Sequence, residues 1–204
     1  MTALQKLAHM AARLRLLIDP GYYVRYLRRQ GVLIGRNSIV IFPGYVDGRL
    51  PYLLEIGDNV TVSRMVTILT HDAATAFAGD LIKVGRVVIR DRCFIGANAT
   101  ILCNVRIGPD SIVGAGSVVT RDIPAGEIWG GNPARFICRT EDYIARQRQL
   151  AQARPVIEGG PFMDPYAPPD RRRALNERLA DSFLFFCSRL PSGGGTPGAG
   201  GGNV

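Results

Sequence analysis

Between Ile89 and Val119 an aliphatic residue returns every six positions, at Ile89, Ile95, Ile101, Ile107, Val113 and Val119. Small or compact residues stand four places after the first five of these, at Cys93, Ala99, Val105, Ser111 and Ser117. Glycine follows the aliphatic residue at Gly96, Gly108 and Gly114, and Ala125-Gly126 extends the series more weakly. A period of six is too long for strand alternation and does not fit a 3.6-residue helix. It fits a short strand and a tight turn, repeated, with the aliphatic side chain stacked inward and the compact one at the corner. Glycine in this frame suggests backbone angles that a Cβ would penalise. One unit buries too little apolar surface to stand alone, so the repeats must stack as a parallel β-solenoid.

The frame also appears upstream, at Ile56-Gly57, Val62 and Ile68, with Val60 and Val66 in the compact slot, and Ile34-Gly35 with Ser38 reads as an isolated opening unit. Two stretches break the phase. One lies between Ile34 and Ile56 and carries Pro43, Gly44, Gly48 and Pro51, which read as turns. The other is an insertion over 73–86, and insertions in solenoids emerge on one face and often carry function. Before the repeats, Leu4, Leu7, Ala8, Ala11, Leu14 and Ile18 recur at helical spacing up to Pro20-Gly21. The basic-aromatic stretch Tyr22–Arg29 then either docks weakly on an anionic membrane surface or packs on the domain with its basic side solvated. After Ile137 the repeat stops. Glu141–Gln152 reads as a helix capped by Thr140, 154–170 is proline-rich, and Arg171–Cys187 reads as a further helix. The expected organisation is a helical segment over 1–31, a β-solenoid over 32–138, a helical and Pro-rich extension over 139–190, and a disordered Gly-rich tail over 191–204.

Composition narrows the functional classes. The 204 residues carry 25 Lys and Arg against 17 Asp and Glu, a net charge of +8 that favours anionic partners. Nucleic acid has only Tyr22–Arg29 to support it, and a β-solenoid is not a usual groove reader, so no nucleic-acid partner is expected. The four cysteines are scattered, which suggests neither a zinc site nor a disulfide framework, and no metal is expected. No secretory signal and no run of about 20 apolar residues is visible, so a cytoplasmic location is expected, with peripheral contact at the inner membrane as the alternative. His71 is the only histidine besides His9, and it stands where a coil gives way to the insertion. A neutral imidazole there could remove a proton from a weak nucleophile, or could simply bond the turn.

The run VVIRDRCFIGANATILCNVRIGPDSIVGAGSVVTRDIPAGEIWGGNPARFIC, residues 87–138, together with ILTHD at 68–72, resembles the hexapeptide-repeat acyltransferases. Among these it is most similar to bacterial O-acetyltransferases of sugars, capsule and O-antigen polysaccharides. The resemblance covers about residues 32–150 and implies a mainly β fold, a left-handed parallel β-helix. It implies acetyl-CoA as donor, a sugar or glycan acceptor, and His71 as general base for direct attack in a ternary complex. Asp72 is a candidate to orient the imidazole, although neighbours in a strand face opposite ways and it could equally bond turn amides. By the same resemblance Phe94, Ala97, Ala115, Ser117, Thr120, Arg121, Gly131 and Arg135 correspond to cofactor-binding positions. Phe94 replaces a tryptophan common in relatives, Cys138 replaces a basic residue, and Cys103 should lie outward at a turn. The family typically forms homotrimers with sites between subunits, which puts Asn98 or Asn104 of a neighbour near the site. Alternative readings are N-acylation of an amino-sugar nucleotide and an inactive scaffold. The γ-type carbonic anhydrases of the same fold need three coil histidines, which this chain lacks.

Overall fold

The computed structural model describes residues 19–154, 156–158, 168–180 and 183–187, in two compact units divided between Tyr143 and Ile144. In the first unit the six-residue period becomes a triangular prism. Three sheets form its faces. Sheet A stacks β1 (Leu33–Ile34), β4 (Leu54–Ile56), β9 (Val87–Ile89) and β12 (Val105–Ile107). Sheet B stacks β2 (Ile39–Val40), β5 (Thr61–Val62), β10 (Phe94–Ile95), β13 (Ile112–Val113) and β15 (Glu127–Gly130). Sheet C stacks β3 (Tyr45–Val46), β6 (Thr67–Ile68), β11 (Thr100–Ile101) and β14 (Val118–Val119). Successive coils pair in parallel, so the inward aliphatics form three columns. Ile56, Ile89 and Ile107 stack in one, Val62, Ile95 and Val113 in the next, and Ile68, Ile101 and Val119 in the third. These nine side chains are almost wholly excluded from solvent.

The compact residues fill the corners and satisfy themselves there. Ser111 donates to Pro124 O, Ser117 to Gly114 O, and Cys93 to Gly108 O, so each buried polar atom is paired with backbone. Burial pushes the Cys93 thiol up to about 11. The glycines have a different role from the one their spacing suggests. Gly96 and Gly108 do not have positive φ; a Cβ on either would lie 2.5 Å from a backbone nitrogen of the next coil. The left-handed residue comes two places later in the frame, at Asn37, Asn59, Met65, Arg92, Asn98, Asn104, Asp110, Gly116 and Gly126. Asn, Asp and Gly tolerate that conformation most easily, and Met65 and Arg92 are the exceptions.

The stretch between Ile34 and Ile56 is a full coil rather than a set of turns. Val40 and Val46 continue the frame from Ile34 and pair with Val62 and Ile68 of the coil below. The ends of the prism are covered. At the N-terminal end α1 (Pro20–Arg29), capped by Asp19, buries Tyr23, Val24 and Leu27. Its basic side is partly committed: Arg25 pairs with Asp19, and Arg28 donates to Ile34 O and Gly35 O. The helix read over residues 4–18 lies outside the described residues. At the C-terminal end β15 turns back antiparallel onto β16 (Arg135–Arg139).

Helix α2 (Thr140–Gln152) begins at Thr140, whose hydroxyl is buried without a partner among the described residues and so does not cap it. In the second unit β17 (Val156–Glu158) pairs in parallel with β18 (Phe185–Cys187), and α3 spans Pro169–Arg178. The helix expected through Cys187 therefore ends early, and its aromatic end is a strand. Phe183 packs edge-on to Phe185 and under the guanidinium of Arg154. Most of the proline-rich stretch and the glycine-rich tail lie outside the described residues. Among the described residues no helix is long and apolar enough to cross a membrane.

Candidate functional site

The corner between sheets C and A is where both phase breaks occur. After β3 the chain leaves the frame at Asp47; after β6, one coil below, it leaves at Thr70 and His71. Because Val46 and Ile68 are in register, the two departures stack, and Asp47 N donates to Ile68 O. The Asp47 carboxylate is wholly buried and receives four donors. Oδ1 accepts from Arg49 N at 3.1 Å; Oδ2 accepts from Thr70 N at 3.1 Å, Thr70 Oγ1 at 2.8 Å and the His71 Nδ1. Burial by itself would raise the Asp47 carboxyl. The Arg49 amide, the Thr70 hydroxyl, the His71 ring and the Thr70 amide outweigh it and hold it down at about 2.

An ionised carboxylate at Nδ1 requires a hydrogen there, so the neutral imidazole presents Nε2 as a bare acceptor. The side chain is about one-fifth exposed, enough for Nε2 to meet a ligand. The two ring nitrogens lie on opposite edges, so Nε2 is directed away from Asp47 and the first coil.

Of the two readings open for Asp72, orienting the imidazole or bonding turn amides, the structure shows the second. Asp72 Oδ1 accepts from Ala74 N at 2.9 Å and caps the 3-10 turn Ala73–Ala78. A residue adjacent to His71 in an extended strand faces the other way, whereas Asp47 faces it from the coil above. The signal for Asp47 was present in the sequence: Ile34, Val40 and Val46 keep the six-residue step, and Asp47 directly follows the last.

The 73–86 insertion is an arm. β7 (His71–Asp72) pairs antiparallel with β8 (Lys83–Val84), His71 opposite Val84 and Asp72 opposite Lys83. The return passes through Gly85, whose N donates to Thr70 O and whose Cβ, if present, would lie 2.6 Å from Asn104 Cβ. Phe77 at the arm's tip is fully exposed, with Leu81 and Ile82 more than half exposed. Below the arm a groove of about 330 Å³ runs along the same corner, lined by Lys83, Arg86, Arg106, Arg121, Asp122 and Cys103 among others. Cys103 is buried rather than outward, only 6% exposed.

The remaining expected residues fall into two strips. Ala97 and Ala115 are outward at the corner between sheets B and C, stacked through Gly116 N and Ala97 O, with Gly131 continuing the column through Ser117 Oγ. Phe94, 44% exposed, stands on the adjoining face between Thr61 and Ile112, and Arg135 is exposed in the closing hairpin. Thr120 and Arg121 are exposed on the other corner, in line with His71. Ser117 does not join either strip, because its buried hydroxyl is consumed by Gly114 O and Gly131 N. Asn98 and Asn104 are exposed turn residues, one on each corner. No cluster of three His, Cys, Asp or Glu side chains forms among the described residues.

A prism built from six-residue repeats with a carboxylate–histidine pair at a phase break defines a class, and comparison with known proteins places the chain in it. The family described as bacterial transferase hexapeptide (six repeats) matches residues 86–121. The chain is 32% identical over 130 residues to a Bacillus subtilis protein named "Putative acetyltransferase YvoF", covering 64% of this chain and 72% of that one. It is 42% identical over 67 residues to 2,3,4,5-tetrahydropyridine-2,6-dicarboxylate N-acetyltransferase of Staphylococcus aureus, of which it spans only 28%. The structure of a Vibrio cholerae hexapeptide-repeat-containing acetyltransferase, complexed with acetyl co enzyme A, superposes with a TM-score of 0.50 at 23% identity. That superposition covers 64% of this chain and 84% of that one. The chain belongs to the hexapeptide-repeat acyltransferase family, and its fold is the left-handed parallel β-helix.

Proposed function

We propose that the protein transfers an acetyl group from acetyl-CoA to a hydroxyl of a sugar or glycan precursor. The observation that carries this reading is the Asp47–His71 pair: a buried, ionised carboxylate holds Nδ1–H, which leaves Nε2 as the free nitrogen of a partly exposed ring at the base of the arm. Nε2 takes the proton of the acceptor hydroxyl as its oxygen attacks the thioester carbonyl. The tetrahedral intermediate collapses with cleavage of the C–S bond, and the imidazolium returns its proton to the departing sulfur. Asp47 is a positioning residue that also steadies the imidazolium while it exists. Acetyl-CoA as donor is supported by the relatives, one of which was solved with acetyl co enzyme A.

The two strips support a site shared between subunits. Ala97, Ala115 and Gly131 lie on one corner of the prism, and His71, Thr120 and Arg121 on the next, a whole sheet away. One cofactor arm can touch both corners only where two copies meet, which fits a homotrimer with a site at each junction. Small residues on the first corner let the pantetheine arm approach backbone, and Arg121 and Arg135 carry charge suited to its phosphates.

The test is acetyl-CoA-dependent transfer to a panel of sugars, sugar nucleotides and oligosaccharides by wild type and His71→Ala. Loss of a general base should lower kcat about 10²–10⁴-fold while CoA binding stays within about twofold. Near-normal transfer by the variant would overturn the reading. Transfer to amino sugars alone would move the acceptor atom from oxygen to nitrogen.

A further inference from the structure

The groove below the arm carries more positive charge than the coils need to hold together. Four cations line it, Lys83, Arg86, Arg106 and Arg121, against one carboxylate, Asp122. Arg86 is tied to Glu55 at 2.9 Å, and Asp122 accepts from Arg106 N at 2.7 Å. Among the described residues Lys83, Arg106 and Arg121 have no carboxylate within ion-pair distance. Unpaired cations crowded into one concavity repel each other and are stabilised by an anion.

Position says which anion. Coils of a parallel solenoid rise by about 4.8 Å, the spacing between paired strands. His71, Asn104 and Arg121 mark successive coils along one corner, so the Lys83 end of the groove is about one rise from His71 and the Arg121 end about two. The pantetheine arm is comparable to about four residues of extended chain, roughly 14 Å, so an extended donor carries its phosphates beyond the near end. A phosphate on the anomeric carbon of a hexose is separated from the ring hydroxyls by little more than one ring, which matches the near end. Asp47 also holds Nδ1 from the first coil, the side of His71 opposite the coils that line the groove.

We infer that Lys83 and Arg106, with Arg86 held by Glu55, bind a diphosphate on the acceptor, so the acceptor is a sugar linked through a diphosphate rather than a free neutral glycan. The inference rests on the acetyltransferase reading above and names its acceptor class. The diphosphate could belong to a nucleotide sugar or to a lipid-linked sugar; both present the same group to the groove.

Calorimetric titration of uridine diphosphate into the full chain, with and without saturating CoA, tests it. Uridine diphosphate should bind the CoA-saturated protein, and Lys83→Ala and Arg106→Ala should each weaken it about tenfold, the loss of one charge-assisted contact. Arg29→Ala, which removes the same charge from α1 outside the groove, should leave it within twofold. With acceptors, the same two variants should raise KM for a diphosphate-linked sugar and leave KM for acetyl-CoA unchanged. Comparing a uridine diphosphate sugar with a short-chain prenyl diphosphate sugar then shows which carrier is used. Displacement of uridine diphosphate by CoA, or equal binding by wild type and variants, would overturn the inference. Failure of CoA itself to bind would instead sink the acetyltransferase reading, and the two failures are read in the same titration.

Discussion

Replacing Asp47 with asparagine separates the two jobs of its carboxylate. Oδ2 takes three donors, from the Thr70 amide, the Thr70 hydroxyl and the His71 ring, while Oδ1 takes only the Arg49 amide. An asparagine has one acceptor oxygen, and three donors against one fix it at the Oδ2 position. Its NH₂ then faces the Arg49 N–H with no acceptor between them, in a place without solvent, which costs about 1–3 kcal/mol of stability. Nδ1–H still has an acceptor, so the tautomer survives and Nε2 stays a base. What disappears is the negative charge beside the imidazolium. The difference between a charge-assisted and a neutral hydrogen bond is about 1–2 kcal/mol, which lowers kcat about five- to thirtyfold. This is far short of the roughly 10⁴-fold drop when a triad imidazole is left in the wrong tautomer. Initial rates of CoA release, with the acceptor the screen identifies, measure the effect, and urea denaturation checks the fold. Asp72→Asn is the control: the one hydrogen bond its carboxylate accepts among the described residues, from Ala74 N, can be kept by the asparagine oxygen, so its rate should remain within about twofold. An Asp47→Asn rate equal to wild type, or an Asp72→Asn loss as large, would refute the assignment.

The same carboxylate gives a pH dependence of stability. It titrates at about 2 in the folded chain against 3.8 ordinarily, so its contribution is complete above about pH 4 and is lost as pH falls toward 2. The shift corresponds to roughly 2 kcal/mol, to be read from urea midpoints at about pH 5 and pH 2.5, with Asp47→Asn lacking that component. Gly96→Ala should cost at least about 1–3 kcal/mol, because its Cβ would meet Ala115 N at 2.5 Å and backbone must move. Gly114→Ala, where the nearest atom is Ser117 Oγ at 3.4 Å, should cost well under half of that in the same denaturation series. Met65→Asn should stabilise by about 1 kcal/mol, since Met65 is exposed and holds φ of 61° where asparagine is better tolerated.

The prism was legible in the sequence because stacking demands identical side-chain placement in every coil, so Ile89 to Val119 carry a period no helix or alternating strand shares. The first coil was obscured by Pro43, Gly44 and Gly48, which resemble turn punctuation although Val40 and Val46 hold the frame around them. Glycine after the aliphatic residue was legible as a requirement but not as its cause: close approach and positive φ both select glycine, and only coordinates separate Gly96 from Gly116. His71 stood out because histidine is rare in this chain. Asp47 did not, because its link to His71 is one of coil stacking, 24 positions away along the chain. Arg171–Cys187 was misread for the opposite reason: Leu175, Leu179 and Phe183 have helical spacing, yet Phe185–Cys187 pairs with Val156–Glu158, a partner that local periodicity cannot show.

Regularity also determines where chemistry can sit on such a fold. Each coil directs its aliphatic residues inward and closes its corners with backbone-satisfied compact residues, so an unbroken prism has flat walls and no concavity. A buried carboxylate such as Asp47 cannot be accommodated within the frame, because every inward slot is an aliphatic column with no donors. It needs a corner where the chain leaves the frame and turns free amides inward, as Arg49 and Thr70 do. Two such departures, stacked one coil apart, supply the donors for the carboxylate and the histidine that uses it. The second departure also supplies the arm that overhangs the cationic groove. Inserting residues at the Val46–Asp47 junction should therefore disturb the imidazole while leaving the three aliphatic columns intact, whereas the same insertion after Ile101 would shift a column and cost the fold itself.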